Sequence, residues 1–165
     1  MTMIEAIVYV ALFSLMFAVI VETTLTVGSA FRTSRVRKNV NLEGGAALER
    51  IMREAHLAHG INTAQSTLGT TSSKIVFDTI LGPSDETVTT REFYLQNGAI
   101  IFKEGSASPS PLTSSNVRVR ELIFYEVGTS TFSRAMRAQI TIEGGSGKSY
   151  IEEHFYDAAV LRRTY

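Results

Sequence analysis

Few residues in this chain have the types and spacing that chemistry requires. His56 and His59 stand three apart in a segment of helical periodicity, which can bring two imidazoles near one metal ion. Only Glu49 and Glu54 lie close enough in sequence to add a ligand, so exposed or packing histidines are the plainer reading. His154 follows Glu152 and Glu153 in a strand pattern and reads as solvent-facing. Serines are abundant, but none sits in a G-x-S-x-G turn. Residues 144–149, Gly-Gly-Ser-Gly-Lys-Ser, lack the G-x-x-x-x-G-K-[ST] spacing of a phosphate loop and fall between two strands, so they read as a turn. There is no cysteine, which excludes disulfides, thiol catalysis and cysteine-based metal sites. The residues point away from an enzyme, and no catalytic, cofactor-binding or metal-ligating side chain is assigned.

What remains is an acid in an apolar setting. Residues 6–21 are apolar except for the hydroxyls of Tyr9 and Ser14, and between positions 4 and 31 the only charges are Glu5 and Glu22. With its Thr-rich extension to Val27, this run is about long enough to span a bilayer at roughly 1.5 Å per residue. It is apolar on all faces, so it must be surrounded by lipid or by other helices. No Lys or Arg precedes it and no A-x-A site follows, unlike a secretory signal peptide. A carboxylate at position 5 costs on the order of 3 kcal/mol in lipid. The free N–H groups at a helix start offset part of that, and an α-amino group on a neighbouring chain could offset the rest.

The elements that hold this segment can be read from the periodicity. Val36, Val40, Ala47, Ile51, Ala55 and Ala58 form one apolar stripe after the basic turn Arg32, Arg35, Arg37, Lys38. Glu49 with Arg53, and Arg50 with Glu54, are spaced to pair on the exposed side. Gly44-Gly45 is either a soft point or a place of close packing, and Gly60 is a stop. The expectation is one helix of roughly fifty to sixty residues, against a common mean of about 11. Residues 62–73 read as a loop, and strands are expected from 74 to 161, with Asn97-Gly98 as a hairpin turn. Residues 105–116 are Ser/Pro-rich and read as an exposed loop. Met136, Ala138, Ile140 and Ile142 alternate with polar residues, as in a sheet with one buried face. The predicted fold is α+β: a long N-terminal helix, apolar in its first half and packed by its second half on an antiparallel sheet.

The segment Met1-Thr2-Met3-Ile4-Glu5-Ala6-Ile7-Val8 resembles the start of a mature type IV pilin or type II secretion pseudopilin. Thr2, Ile4 and Glu5 stand where that family has a small polar residue, an apolar one and a glutamate, ahead of a long apolar helix. The later strand pattern and the ending Val160-Leu161-Arg162-Arg163 are most similar to the J-type minor pseudopilins. The resemblance implies a type IV pilin fold, with a filament-core or transmembrane helix over residues 1–31 and a globular domain over 32–165. That domain comprises an amphipathic helix over 32–59 and a sheet over 74–161. It implies a processed form whose basic leader a prepilin peptidase has removed, with Met1 N-methylated. It also implies an inner-membrane assembly machinery as partner, residence in the cytoplasmic membrane before assembly, and a surface filament after it.

The expected function is a structural filament subunit that polymerises through its helix, Glu5 pairing with the Met1 amine of a neighbour. The alternative is a minor pilin or pseudopilin that primes assembly or caps the tip. A third expectation, a single-span anchored domain that never polymerises, has no need of Glu5. Glu22 is expected to meet Arg32 or Arg35 of another subunit. Many family members have proline at position 22 and glycine at position 14, where this chain has Glu22 and Ser14, so Gly28 becomes the candidate soft point. Arg118, Arg120, Arg134, Arg137, Arg162 and Arg163 could face DNA. Lys plus Arg number 16 and Asp plus Glu 16, so the net charge is zero and DNA is not the favoured partner.

Overall fold

Uninterrupted helix-forming sequence with no proline gives a helix, α1, from Met3 to Leu57, 55 residues and about 80 Å long. The computed structural model describes residues 2–82, 85–130 and 133–161. Met1, Arg162 and Arg163 therefore lie outside the described residues. Ser14, Thr23, Thr24, Thr26 and Thr33 each return a hydroxyl to a carbonyl four residues back, so these hydroxyls are satisfied within the helix itself.

Among the described residues eight strands follow: β1 Gly60–Ile61, β2 Lys74–Gly82, β3 Asp85–Gln96, β4 Ala99–Glu104, β5 Ser110–Pro111, β6 Val117–Ser130, β7 Ser133–Gly144 and β8 Ile151–Val160. They form two antiparallel sheets rather than one, ordered β1-β2-β3-β4-β5 and β6-β7-β8. Asn97 (φ 53°) and Gly98 (φ 75°) make the tight turn of the β3–β4 hairpin, where both central residues need the left-handed region. The sheets meet along β6. Val119 N–H donates to the Gly98 carbonyl at 2.8 Å, and the loop before β2 bonds β6 through Gly69, Thr71 and Ser73.

The core lies where residues 40–57 of α1 cross the sheets. Val40, Ala47, Ile51 and Ala55 of the expected stripe are buried, joined by Leu48 and Met52, and they pack chiefly against β8 and β7. Phe77, Phe93 and Phe102 form an aromatic row beneath, with centroids 6.0 and 5.1 Å apart. Residues 105–116 are tied down more than their composition suggests. Thr113 is buried and accepts from Ile100 N–H, and Glu43 of α1 accepts from Ser114 N–H at 2.6 Å.

The two adjacent glycines have opposite roles. Gly44 faces the ring of Phe155, and a Cβ there would stand 2.6 Å from Phe155 Cζ, whereas a Cβ on Gly45 would meet nothing within 4 Å. Gly44 is thus a point of close packing. Gly45→Ala is expected to stabilise the fold by about 0.4–1 kcal/mol through helix propensity. Gly44→Ala is expected to cost about 1–3 kcal/mol as the Phe155 ring is displaced. Thermal melts of the two variants should move in opposite directions.

Candidate functional site: the exposed apolar helix and its acid

Every residue from 2 to 32 is exposed, including Phe13, Leu15, Met16, Phe17 and Phe31, and among the described residues none of these apolar side chains joins the hydrophobic core. The apolar window of α1 has a mean hydropathy of 2.5 and lies near the N-terminus, long enough to cross a membrane. Because the segment is apolar on every side, it has no face that suits water alone.

Glu5 has a role within its own chain that the spacing already encodes. Thr2 is the N-cap of α1 and Glu5 the third helical residue, the T-x-x-E arrangement of a capping box. Glu5 Oε2 accepts from the Thr2 N–H at 3.3 Å. That engages one carboxylate oxygen with a helix-start donor and leaves Oε1 with no partner among the described residues. Glu22 is exposed and forms no ion pair among the described residues. Arg32 and Arg35 are likewise exposed on the same helix, about 15 Å or more along the axis from Glu22, so they cannot pair with it inside one chain. Gly28 lies within continuous helix, with open space where a Cβ would project.

The other candidate groups are absorbed by structure. His56 Nδ1 lies 3.2 Å from the Val160 carbonyl, and α1 ends at Leu57, so His59 is beyond the helix and not on its face. Among the described residues no three His, Asp or Glu approach closely enough to hold a metal ion. Thr141, His154 and Glu152 form a hydroxyl–imidazole–carboxylate row, with Thr141 Oγ1 3.0 Å from His154 Nδ1. Thr141 is 1% exposed and also bonds Glu121, so no substrate reaches the hydroxyl. Arg118, Arg120 and Arg134 pair with Glu143, Glu152 and Glu126, and Arg137 stacks on Tyr125 at 5.0 Å. Their charge is spent on the sheet's own acids and aromatic face.

Two polar features escaped the sequence. The first corrects an expectation: Arg50 and Glu54 do pair, at 2.9 Å, but not on the exposed side. Glu54 is 3% exposed and faces inward to pair with Arg91 of β3, which bonds Glu104 of β4 at 2.9 Å. Arg50 lies over the Phe102 ring at 5.1 Å. Helical spacing gave the i,i+4 pair, but only the arrival of β3 puts Glu54 inside.

The second is Tyr150, whose hydroxyl lies 2.7 Å from a Glu152 carboxylate oxygen and 3.1 Å from one of Glu143, with one proton shared between them. Its bond to Glu152 is the main reason the phenol is pushed up to about 12 from its ordinary value of 10.0, helped by desolvation. The same bond, opposed by desolvation and assisted by Arg120, holds Glu152 below the usual carboxylate range. A raised folded-state value means the contribution is intact below about pH 10 and lost as pH rises toward 12. Between those pH values the melting temperature of the parent should fall more steeply than that of Tyr150→Phe. Parallel curves would show that the phenol is not coupled to folding.

A helix of this length, bare and apolar at its start and packed at its end on antiparallel sheets, defines the type IV pilin fold. The structure superposes on that of a Type IV-like pilin from Thermus thermophilus with a TM-score of 0.54, covering 76% of this chain and 95% of the other, at 7% identity. The likeness is one of fold. No family model and no curated protein sequence matches the chain.

Proposed function

We propose that the chain is a structural subunit of a type IV pilus-like filament, polymerising through α1. The observation that carries this reading is the exposed, largely apolar stretch over residues 2–32, continuous through α1 with a packed domain. Before assembly lipid covers it; in the filament the apolar segments of neighbouring subunits do. Glu5 of one subunit pairs with the Met1 amine of the next, so that two charges leave water together. Its unpartnered Oε1 supports this, because capping leaves that oxygen available. A prepilin peptidase and N-methylation at Met1 complete the reading. Mass spectrometry of the native protein tests the methylation.

Glu22 meets Arg32 or Arg35 of an adjacent subunit, and Gly28 is where α1 loosens. A filament density map with no cation beside Glu22, or with unbroken helix through Gly28, removes the corresponding contact. The test of the whole reading is electron microscopy of sheared surface material. Abundant filaments built of this chain support a main subunit. Trace incorporation supports the alternative, a minor pilin or pseudopilin that primes assembly or caps the tip. Its complete absence from filaments overturns both.

A further inference from the structure

The chain's cations are divided in a way that pilin architecture alone does not explain. Arg50, Arg53, Lys74, Arg91, Lys103, Arg118, Arg120 and Arg134 each pair with an acid, and Arg137 stacks on Tyr125. Arg32, Arg35, Arg37, Lys38 and Lys148 have no such partner among the described residues and are all exposed. These five gather at one level, where the apolar helix ends and the sheet domain begins.

The level matters. From position 4 to position 31 the helix measures about 40 Å, close to the thickness of a bilayer with its headgroup layers. With Glu5 at one boundary, the hydroxyl-rich turn at 23–29 falls in the opposite headgroup layer, and the unpaired cations stand just above it. Long basic side chains reach back toward phosphates from such positions. The 3-10 turn Gly147–Ser149 packs beside α1 here, and Thr33 Oγ1 lies 3.4 Å from Ser149 Oγ. Between them is a cleft of ≈ 430 Å³ whose lining is Ala30 together with Ser29, Thr33, Ser34, Arg37, Lys148 and Ser149. Two cations and four hydroxyls converge on it with no acid in the lining. That set suits a phosphodiester: the cations supply charge, and the Ser34 and Ser149 hydroxyls supply donors, those of Ser29 and Thr33 being given to carbonyls of α1.

We propose that this cleft holds the headgroup phosphate of an anionic phospholipid in the leaflet next to the sheet domain. It fixes the depth and rotation of the unassembled subunit in the membrane. The inference rests on the membrane-spanning part of the reading above. It does not use phosphate-loop geometry, since the turn lies between two strands and recognition comes from side chains.

The test uses the full chain in a neutral detergent, titrated separately with dioleoylphosphatidylglycerol and dioleoylphosphatidylcholine, with bound lipid read by native mass spectrometry. Each cation near an anionic lipid is worth about five-fold in affinity at low salt. The parent should therefore prefer phosphatidylglycerol by about ten-fold or more. Arg37→Gln with Lys148→Gln should lower that preference by about ten-fold or more. Arg118→Gln with Arg120→Gln, which removes paired cations of the sheet, should leave it unchanged. Equal binding of the two lipids by the parent, or an undiminished preference in the Arg37/Lys148 variant, overturns the proposal. Displacement of the lipid by millimolar inorganic phosphate also overturns it, in favour of a free anion. Filament formation is scored separately by microscopy, so filaments without lipid preference sink this inference alone. A chain that fails to float with phosphatidylglycerol/phosphatidylcholine vesicles sinks the membrane reading beneath it.

Discussion

Glu5→Leu is expected to abolish the proposed filaments while leaving the melting temperature of the sheet domain within about 2 °C of the parent. The reason is where each partner sits. In the free subunit Glu5 is exposed and, among the described residues, bonds the Thr2 N–H at 3.3 Å and no other group, so its loss there removes one solvent-accessible cap, about 1 kcal/mol or less. In the proposed filament core the same change would leave the Met1 amine of a neighbour without its counter-charge among apolar side chains. Breaking one partner of a buried pair costs about 3–5 kcal/mol, which would lower each association step on the order of 10²–10⁴-fold. A polymer repeats that loss at every subunit. Membrane insertion should survive, because an acid has been replaced by an apolar residue. The measurement is negative-stain microscopy of sheared material beside a thermal melt of the purified subunit. Normal filaments from Glu5→Leu would leave Glu5 as a helix cap and remove it from assembly.

The second large effect is at the other end of the helix, and it is one of stability. Arg91→Met leaves Glu54, 3% exposed, with only Arg50 as a charged partner, and Arg50 is 41% exposed at its side chain. The expected loss is about 3–5 kcal/mol, on the order of 10 °C in melting temperature for a domain of this size. Glu104 is half open to water at 40% exposure, so the outer arm of the network contributes little. Adding Glu54→Leu to Arg91→Met should recover much of the loss, because the inward charge is then gone and its space filled by carbon. A double variant as unstable as the single one would show that the arginine acts through its packing between β3 and β4, not through its charge.

The helix was legible because it is a local property. Apolar residues at every position over 6–21, then a stripe at Val40, Ala47, Ile51 and Ala55, admit little but one long helix with two surroundings. Asn97-Gly98 was legible for the same reason, since a two-residue turn with both φ values positive has few sequences that fit it. The capping box at Thr2 and Glu5 was equally open to inspection, and its T-x-x-E spacing is the signal that could have found it. The split of the strands into two sheets was not. Each strand's alternation says that one face is buried but not against which neighbour, and β6 joins the sheets through bonds from Val119 and the 69–73 loop that no local pattern encodes.

By itself, then, the sequence determined that this protein has an apolar helix needing a surround, an acid near its start, and a strand-rich domain to anchor its far half. Those follow from composition and periodicity, which act over a few residues. Tertiary structure alone decided that Gly44 is a contact and Gly45 is not, that Glu54 turns inward to Arg91, and that Lys148 comes beside Arg37 across more than a hundred residues of chain. Each of these depends on which strand arrives opposite a given helix face, and hydrophobic burial fixes that only when the whole core closes.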